Sequence, residues 1–259
     1  MFAFEYKFFP KRGISPESFL ERFWPFVGAL GKGGQTTNED STIYGSSPVC
    51  YICICPEKDS LNPKHHHIYA KKYYQQILRM SACKPQVLLL GEIADSSRAC
   101  ECKNHAFFVL FTHLFDQSSP VACGKCRRPV PLYKFPAFEN GAYNLILTWQ
   151  EIYRDCDSLF MLSRVCEKFG YKQISELKSG LTKLGREICA TLEKKMRIPV
   201  YYYLHRYYGV SEKSELKRCC PGCKGKWHLK EPVGIYDFCC KKCRLFSVIA
   251  PDLQKPSWK

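Results

Sequence analysis

Apolar and polar positions alternate through residues 2–9, a stretch rich in aromatic side chains, and a period of two predicts a half-buried strand. The period then changes. Ser15-Pro16-Glu17 supplies an N-cap serine and a proline at the first helical position, and Phe19, Leu20, Phe23, Phe26, Val27 and Leu30 recur on one helical face. Pro25 is a place for that helix to kink. Residues 31–40, with Gly33-Gly34 among polar neighbours, read as a loop leading to a second strand over 49–55, which Pro56 closes. A helix follows over 68–81 with Tyr69, Tyr73, Ile77 and Leu78 on one side, then short apolar strands at 87–91 and 107–113. Strand, helix, strand, helix, strand, strand predicts an α+β sandwich with helices on one face of a mixed or antiparallel sheet.

Past Tyr143 the pattern is helical. Leu145, Ile146, Trp149, Ile152, Tyr153, Leu159, Leu162 and Val165 keep helical spacing, with a break expected near 155–157. Residues 175–180 read as a short helix or turn. Residues 181–196 form an amphipathic helix with Leu184, Ile188, Leu192 and Met196 on one stripe, ended by Pro199. The tyrosine-rich run at 201–208, followed by Lys213, Lys217 and Arg218 just before the cysteine-rich end, admits two readings: a strand packed on its neighbours, or a platform of rings and cations on which unpaired bases stack.

The cysteines change this picture. Cys220-Pro221-Gly222-Cys223 is followed, after sixteen intervening residues, by Cys240-Lys241-Lys242-Cys243. Each CxxC brings two thiolates onto one tight turn, and a hairpin between the pairs completes a tetrahedron of sulfur, the ligand set of a structural zinc ribbon. Cys219 and Cys239 offer an alternative register, but the two-residue spacer is the knuckle spacing. A second group pairs Cys100-Glu101-Cys102 with Cys123-Gly124-Lys125-Cys126 across twenty residues, long enough to run out along a strand and return. It predicts a second four-thiolate zinc site, with His105 and His113 as substitute ligands. Cys53 and Cys55 alternate inside a strand and share its buried face, while Cys156, Cys166 and Cys189 lack partners at ligand spacing; all five read as core residues. His65-His66-His67 point in different directions on any regular element and so do not converge on one ion.

Seventeen cysteines is an odd, high count for 259 residues, and without a signal-like N-terminus it predicts reduced or metal-bound thiols in a soluble cytoplasmic protein. No stretch approaches the roughly twenty apolar residues of a membrane span. The formal charge of +15 falls to about +11 with two four-thiolate zinc sites and stays basic, which favours a polyanionic partner. Gly-rich phosphate loops, GxSxG elbows and HExxH motifs are absent, and zinc held by four thiolates has no open position. The expectation is therefore a non-catalytic protein without a small-molecule substrate.

Cys100-Glu101-Cys102, Phe111-Thr112-His113, Cys123-Gly124-Lys125-Cys126, Leu184-Gly185-Arg186-Glu187-Ile188-Cys189 and both ribbon knuckles together resemble the bacterial domain of unknown function 2310. That family is described as zinc-ribbon-containing and, by inference from the ribbon, nucleic-acid-binding. Lys224-Gly225-Lys226 stands where a Gly-Gly pair is expected, which makes this knuckle more basic. The combined expectation is an α+β domain with an embedded zinc knuckle over 1–136, a helical region over 137–210, and a zinc ribbon over 211–259. Two structural zinc ions are held by Cys100, Cys102, Cys123 and Cys126, and by Cys220, Cys223, Cys240 and Cys243. Nucleic acid is met by Arg127, Arg128, Lys224, Lys226, Lys241, Lys242 and Arg244, with Trp227 stacking on bases. The alternative is a zinc-stiffened protein-interaction module, an adaptor or immunity-type partner.

Overall fold

The structure, a computed structural model, describes residues 1–37, 41–138 and 142–253. It is a mixed α+β fold whose chain packs as two compact units. One comprises Met1–Glu101, Gln117–Val121 and Arg128–Leu147, and the other Cys102–Asp116, Ala122–Arg127 and Thr148–Lys259.

The first unit opens with β1 (Phe2–Phe8), α1 (Pro16–Lys32), β2 (Thr42–Tyr44), β3 (Val49–Cys55), α2 (Ile68–Met80) and β4 (Gln86–Glu92). The sheet order is β2-β3-β1-β4 and each pairing is antiparallel. With β-α-β-β-α-β connectivity this is a split β-α-β plait. The period-two pattern does what it promised: Phe4, Tyr6 and Phe8 of β1 join Tyr51, Cys53 and Cys55 of β3 against Phe19, Phe23, Phe26 and Leu30 of α1. Phe8 and Phe23 meet edge to face at 5.0 Å, a favoured aromatic geometry.

Local chemistry sets the helix boundaries. The Ser15 hydroxyl accepts the Ser18 N–H at 3.2 Å, and α1 runs through Pro25 to Lys32, so the loop expected from residue 31 begins later. Part of that loop, 38–40, lies outside the described residues. His67 caps α2: its Nδ1 accepts the Tyr69 N–H (3.3 Å) while its Nε2 bonds the Ala29 carbonyl (2.7 Å). His66 is buried between Phe26 and Tyr74, and His65 meets Asp59 at 3.2 Å, so the three histidines serve three separate contacts. β2 escaped the sequence reading because three residues are too few to show a period. β4 is an edge strand, and its Val87, Leu88, Leu89 and Leu90 are exposed despite their apolar character.

The remaining elements are β5 (Phe108–Leu110), β6 (Val121–Cys123), α3 (Asn144–Leu162), α4 (Glu167–Ser175), α5 (Gly180–Met196), β7 (Val200–Tyr203), α6 (Glu212–Leu216), β8 (His228–Val233), β9 (Tyr236–Cys240) and β10 (Leu245–Ser247). They build a six-stranded sheet in the order β6-β5-β7-β10-β9-β8. β7 runs parallel to both β5 and β10, while β8, β9 and β10 form an antiparallel meander. Residues 148–210 and the described ribbon segment 211–253 thus share one compact unit and one sheet.

One expectation needs correction here. α3 is unbroken through 155–157, because Asp157 turns its carboxylate off the helix to accept the Leu114 N–H at 2.8 Å. Within 175–180 the chain makes the expected turn, closed by the Ser179 N–H on the Glu176 carbonyl at 3.1 Å, with the short helix α4 ahead of it. Ser179 also caps α5 by accepting the Thr182 N–H at 3.1 Å. All four residues of β7 are buried, with Tyr202 edge-on to Trp149 at 6.0 Å, so the run is a packing strand through Tyr203, after which the chain leaves the strand and Tyr208 is exposed. Among the described residues no helix is long and apolar enough to cross a membrane.

Candidate metal centres

The C-terminal cluster is assembled by the meander. The Cys239 N–H donates to the Trp227 carbonyl (2.8 Å), and the returning chain carries Cys240 and Cys243 to the turn that holds Cys220 and Cys223. All four ligand atoms lie within 4.8 Å of one another, and Cys223 and Cys240 are 3.6 Å apart, without a disulfide. Cys220 and Cys240 are buried, and Cys223 and Cys243 are half-buried. Cys219 and Cys239 stay outside, so the register with two-residue spacers is the one that converges. Gly222 keeps the turn close to its partner: a β-carbon there would stand 2.8 Å from the Cys243 sulfur and push it out of place.

The sulfurs are not equivalent. The Gly225 N–H and the neighbouring thiols lower Cys223 to about 7, whereas burial pushes Cys240 up to about 12. Four thiolates this close repel one another and shed their protons together only when a cation takes their place.

Cys100, Cys102, Cys123 and Cys126 make the other group, again with ligand atoms within 4.8 Å of one another and an alternation of buried and half-buried residues. The Cys100 N–H donates to the Pro129 carbonyl (2.8 Å) and the Gly124 N–H to the Phe107 carbonyl (2.9 Å), which fixes both halves. His105 lies beside the group rather than in it: its Nδ1 is 3.3 Å from the Cys123 sulfur, and its ring rests on Phe108. A hydrogen bond from outside the ligand set orients a ligand and tunes its basicity. Two four-cysteine groups, each able to hold a metal ion, are thus built into the fold.

One backbone device recurs at the three CxxC turns. The residue after the second cysteine is Arg127, Lys224 or Arg244, and each has positive φ (63°, 61° and 53°). At the first two, its N–H donates back to the carbonyl of the leading cysteine, Arg127 to Cys123 at 2.8 Å and Lys224 to Cys220 at 2.9 Å. The left-handed region costs a side-chain-bearing residue roughly 1–2 kcal/mol. Here it is a cation each time.

The predicted basic residues separate into two groups. Arg127, Arg128, Lys224, Lys226, Lys241 and Lys242 are exposed, and their side chains form no ion pair among the described residues. Arg127 reaches the β8–β9 turn, since a β-carbon on Gly234 would stand 2.7 Å from its Cδ. Arg244 is engaged: its guanidinium donates to both oxygens of Glu193 (2.8–3.1 Å) and lies over Tyr201. Trp227 is unavailable for stacking on bases. It is 2% exposed, donates its indole N–H to the Arg218 carbonyl (2.8 Å), and packs on Phe238.

Sequence reasoning missed the anchor beneath the ribbon. Arg218 lies over Trp227 and Phe238 (4.9 and 4.3 Å), donates to the Val248 carbonyl (2.9 Å), and shares the buried Glu215 with Arg206. Its position directly before the knuckle was the available signal, but a cation there reads equally well as surface.

Comparison with known proteins places the chain. Residues 102–205 match the domain of unknown function DUF2310, and residues 209–253 match a second, DUF8594. An uncharacterized protein of Haemophilus influenzae is 35% identical over 220 residues, spanning 83% of this chain and 84% of that protein. The chain belongs to the DUF2310 family. Another uncharacterized Haemophilus influenzae protein is 37% identical over 160 residues, 61% of this chain and 79% of its own length. Among solved structures, an antibiotic biosynthesis monooxygenase aligns at 11% identity and a TM-score of 0.31, over 36% of this chain and 99% of that one. Likeness at that level assigns the DUF2310 chain no chemistry.

Proposed function

We propose that this protein binds two structural zinc ions and uses the exposed cations around its cysteine turns to bind nucleic acid in the cytoplasm, without catalysis. Sulfurs 2.3 Å from a tetrahedral zinc stand about 3.8 Å from one another, which suits the 3.6 Å between Cys223 and Cys240 and the 4.8 Å limit on both groups. The four-thiolate set leaves zinc no vacant position, so the ion stiffens its surroundings and presents neighbouring side chains.

The observation that carries the nucleic-acid reading is the exposed cation on a left-handed backbone behind two of the three CxxC pairs, Arg127 and Lys224, flanked by exposed, unpaired Lys226, Lys241, Lys242 and Arg128. Exposed cations held by a rigid knuckle meet phosphates with little ordering cost, and phosphate contact supplies most of non-specific binding. Phosphate is therefore the role assigned to these residues. Base stacking is not assigned to Trp227.

Metal analysis of pure protein should return two zinc ions per chain. Filter binding of single- and double-stranded DNA and RNA across a salt series should show affinity at low salt that falls linearly on a logarithmic plot. No affinity, or affinity without a salt slope, would refute the reading. A stoichiometric protein partner that survives nuclease treatment would replace it with a protein-interaction role.

A further inference from the structure

Behind the second ribbon turn lies a cleft of about 440 Å³ whose walls come from α5, the start of β7 and the Lys242–Arg244 turn. Arg186, Lys194, Lys242 and Arg244 line it against a single carboxylate, Glu193. That carboxylate is already occupied. It accepts three hydrogen bonds from Arg244 and one from the Val200 N–H (3.1 Å), and these hold its pKa below the ordinary carboxylate range. Arg186, Lys194 and Lys242 have no ion-pair partner among the described residues.

Their arrangement follows from the helix. Arg186, Ala190, Glu193 and Lys194 recur at intervals of four, seven and eight, so they share one face of α5, and Ala190 leaves room between the cations. The opposite wall is the cysteine turn itself, with Cys243 at the cleft surface. The volume is in the range of small-ligand sites, and a guanidinium fork with two ammonium groups is the donor set that recognises phosphate.

We infer that this cleft is a phosphate-binding subsite that seats one backbone phosphate of a nucleic-acid strand between α5 and the metal-bound turn. It rests on the nucleic-acid reading above, and adds Arg186 and Lys194 to the residues that meet the strand. Because one wall is the cysteine turn, the subsite is complete only when that turn is folded around its metal.

The test uses the full chain loaded with zinc and a fluorescent single-stranded oligonucleotide titrated across a salt series. Replacing Arg186→Ala together with Lys194→Ala should lower affinity about tenfold or more at low salt and reduce the magnitude of the salt slope by about 0.7, the value for one phosphate contact on a single strand. Lys242→Ala should act in the same direction, and Lys168→Ala on α4 should change nothing. Unchanged affinity and slope in the double variant, with two zinc ions still bound, would overturn the subsite and leave the nucleic-acid reading standing. If the wild type binds no strand, titration with inorganic phosphate or a nucleoside monophosphate, followed by phosphorus NMR, decides separately. A shift abolished in the double variant keeps the phosphate site and overturns only the strand. The absence of a shift overturns the subsite as well.

Discussion

The turn after each CxxC pair brings together two demands that conflict. Closing the turn needs a left-handed residue, which glycine supplies most cheaply, yet Arg127, Lys224 and Arg244 occupy these positions. The strain at three such residues, roughly 1–2 kcal/mol each, is small beside the roughly 10–16 kcal/mol of a structural zinc, so metal binding carries it easily. Lys224→Gly should therefore raise the unfolding free energy of the zinc-loaded protein by about 1 kcal/mol in urea titration. The same variant should weaken oligonucleotide binding. A stability loss there would mean that the Lys224 side chain contributes more by packing than its backbone conformation costs. Beneath the ribbon, Glu215 is 1% exposed and offsets Arg206 and Arg218. Removing one partner of a buried pair costs about 3–5 kcal/mol because the other charge stays buried alone, so Glu215→Gln should lower the urea midpoint clearly while leaving the eight cluster cysteines in place. The eight thiols were readable from spacing alone. Trp227 and Arg218 were not, because a tryptophan or arginine beside a knuckle has the same letters whether it faces solvent or the core.

Among the elements, the helices and long strands were legible because 17-residue α1 and α5 and seven-residue β1 and β3 show several periods each. α3 shows where the method stops. Polar residues at 155–157 look like an interruption, but Asp157 is buried and caps the Leu114 amide, and burial raises its carboxyl above the ordinary value. The raised value means that the folded state holds the proton more tightly. Stability is then lost as pH rises from the unfolded carboxyl value through the folded one, and the loss is complete above it. Asp157→Asn keeps an oxygen acceptor for Leu114 and removes that burden. Its thermal midpoint should exceed that of the wild type at pH 7, with a gain that shrinks as pH is lowered towards the ordinary carboxylate range of about 4. A constant difference across that range would show that the effect is not a protonation one.

On the scale of the whole molecule, metal binding and folding should be coupled locally. The C-terminal group is closed by the β8–β9–β10 meander, and β10 pairs with β7. Chelation should therefore speed amide exchange first in β8, β9 and β10, then in β7, while β1 and β3 keep their protection, as read by hydrogen exchange with mass spectrometry. Uniform deprotection would mean that the metal holds the entire chain together. The sequence by itself determined the period of each long element, the α+β class and the eight thiols that converge, because periodicity and CxxC spacing are local and survive without any neighbour. Only the tertiary structure decided which cations remain exposed. Lys224 and Lys242 stay free, Arg244 is spent on Glu193, and Arg218 is half-buried between Glu215 and the ribbon's aromatic rings, because a charge's availability depends on what a distant segment folds against it.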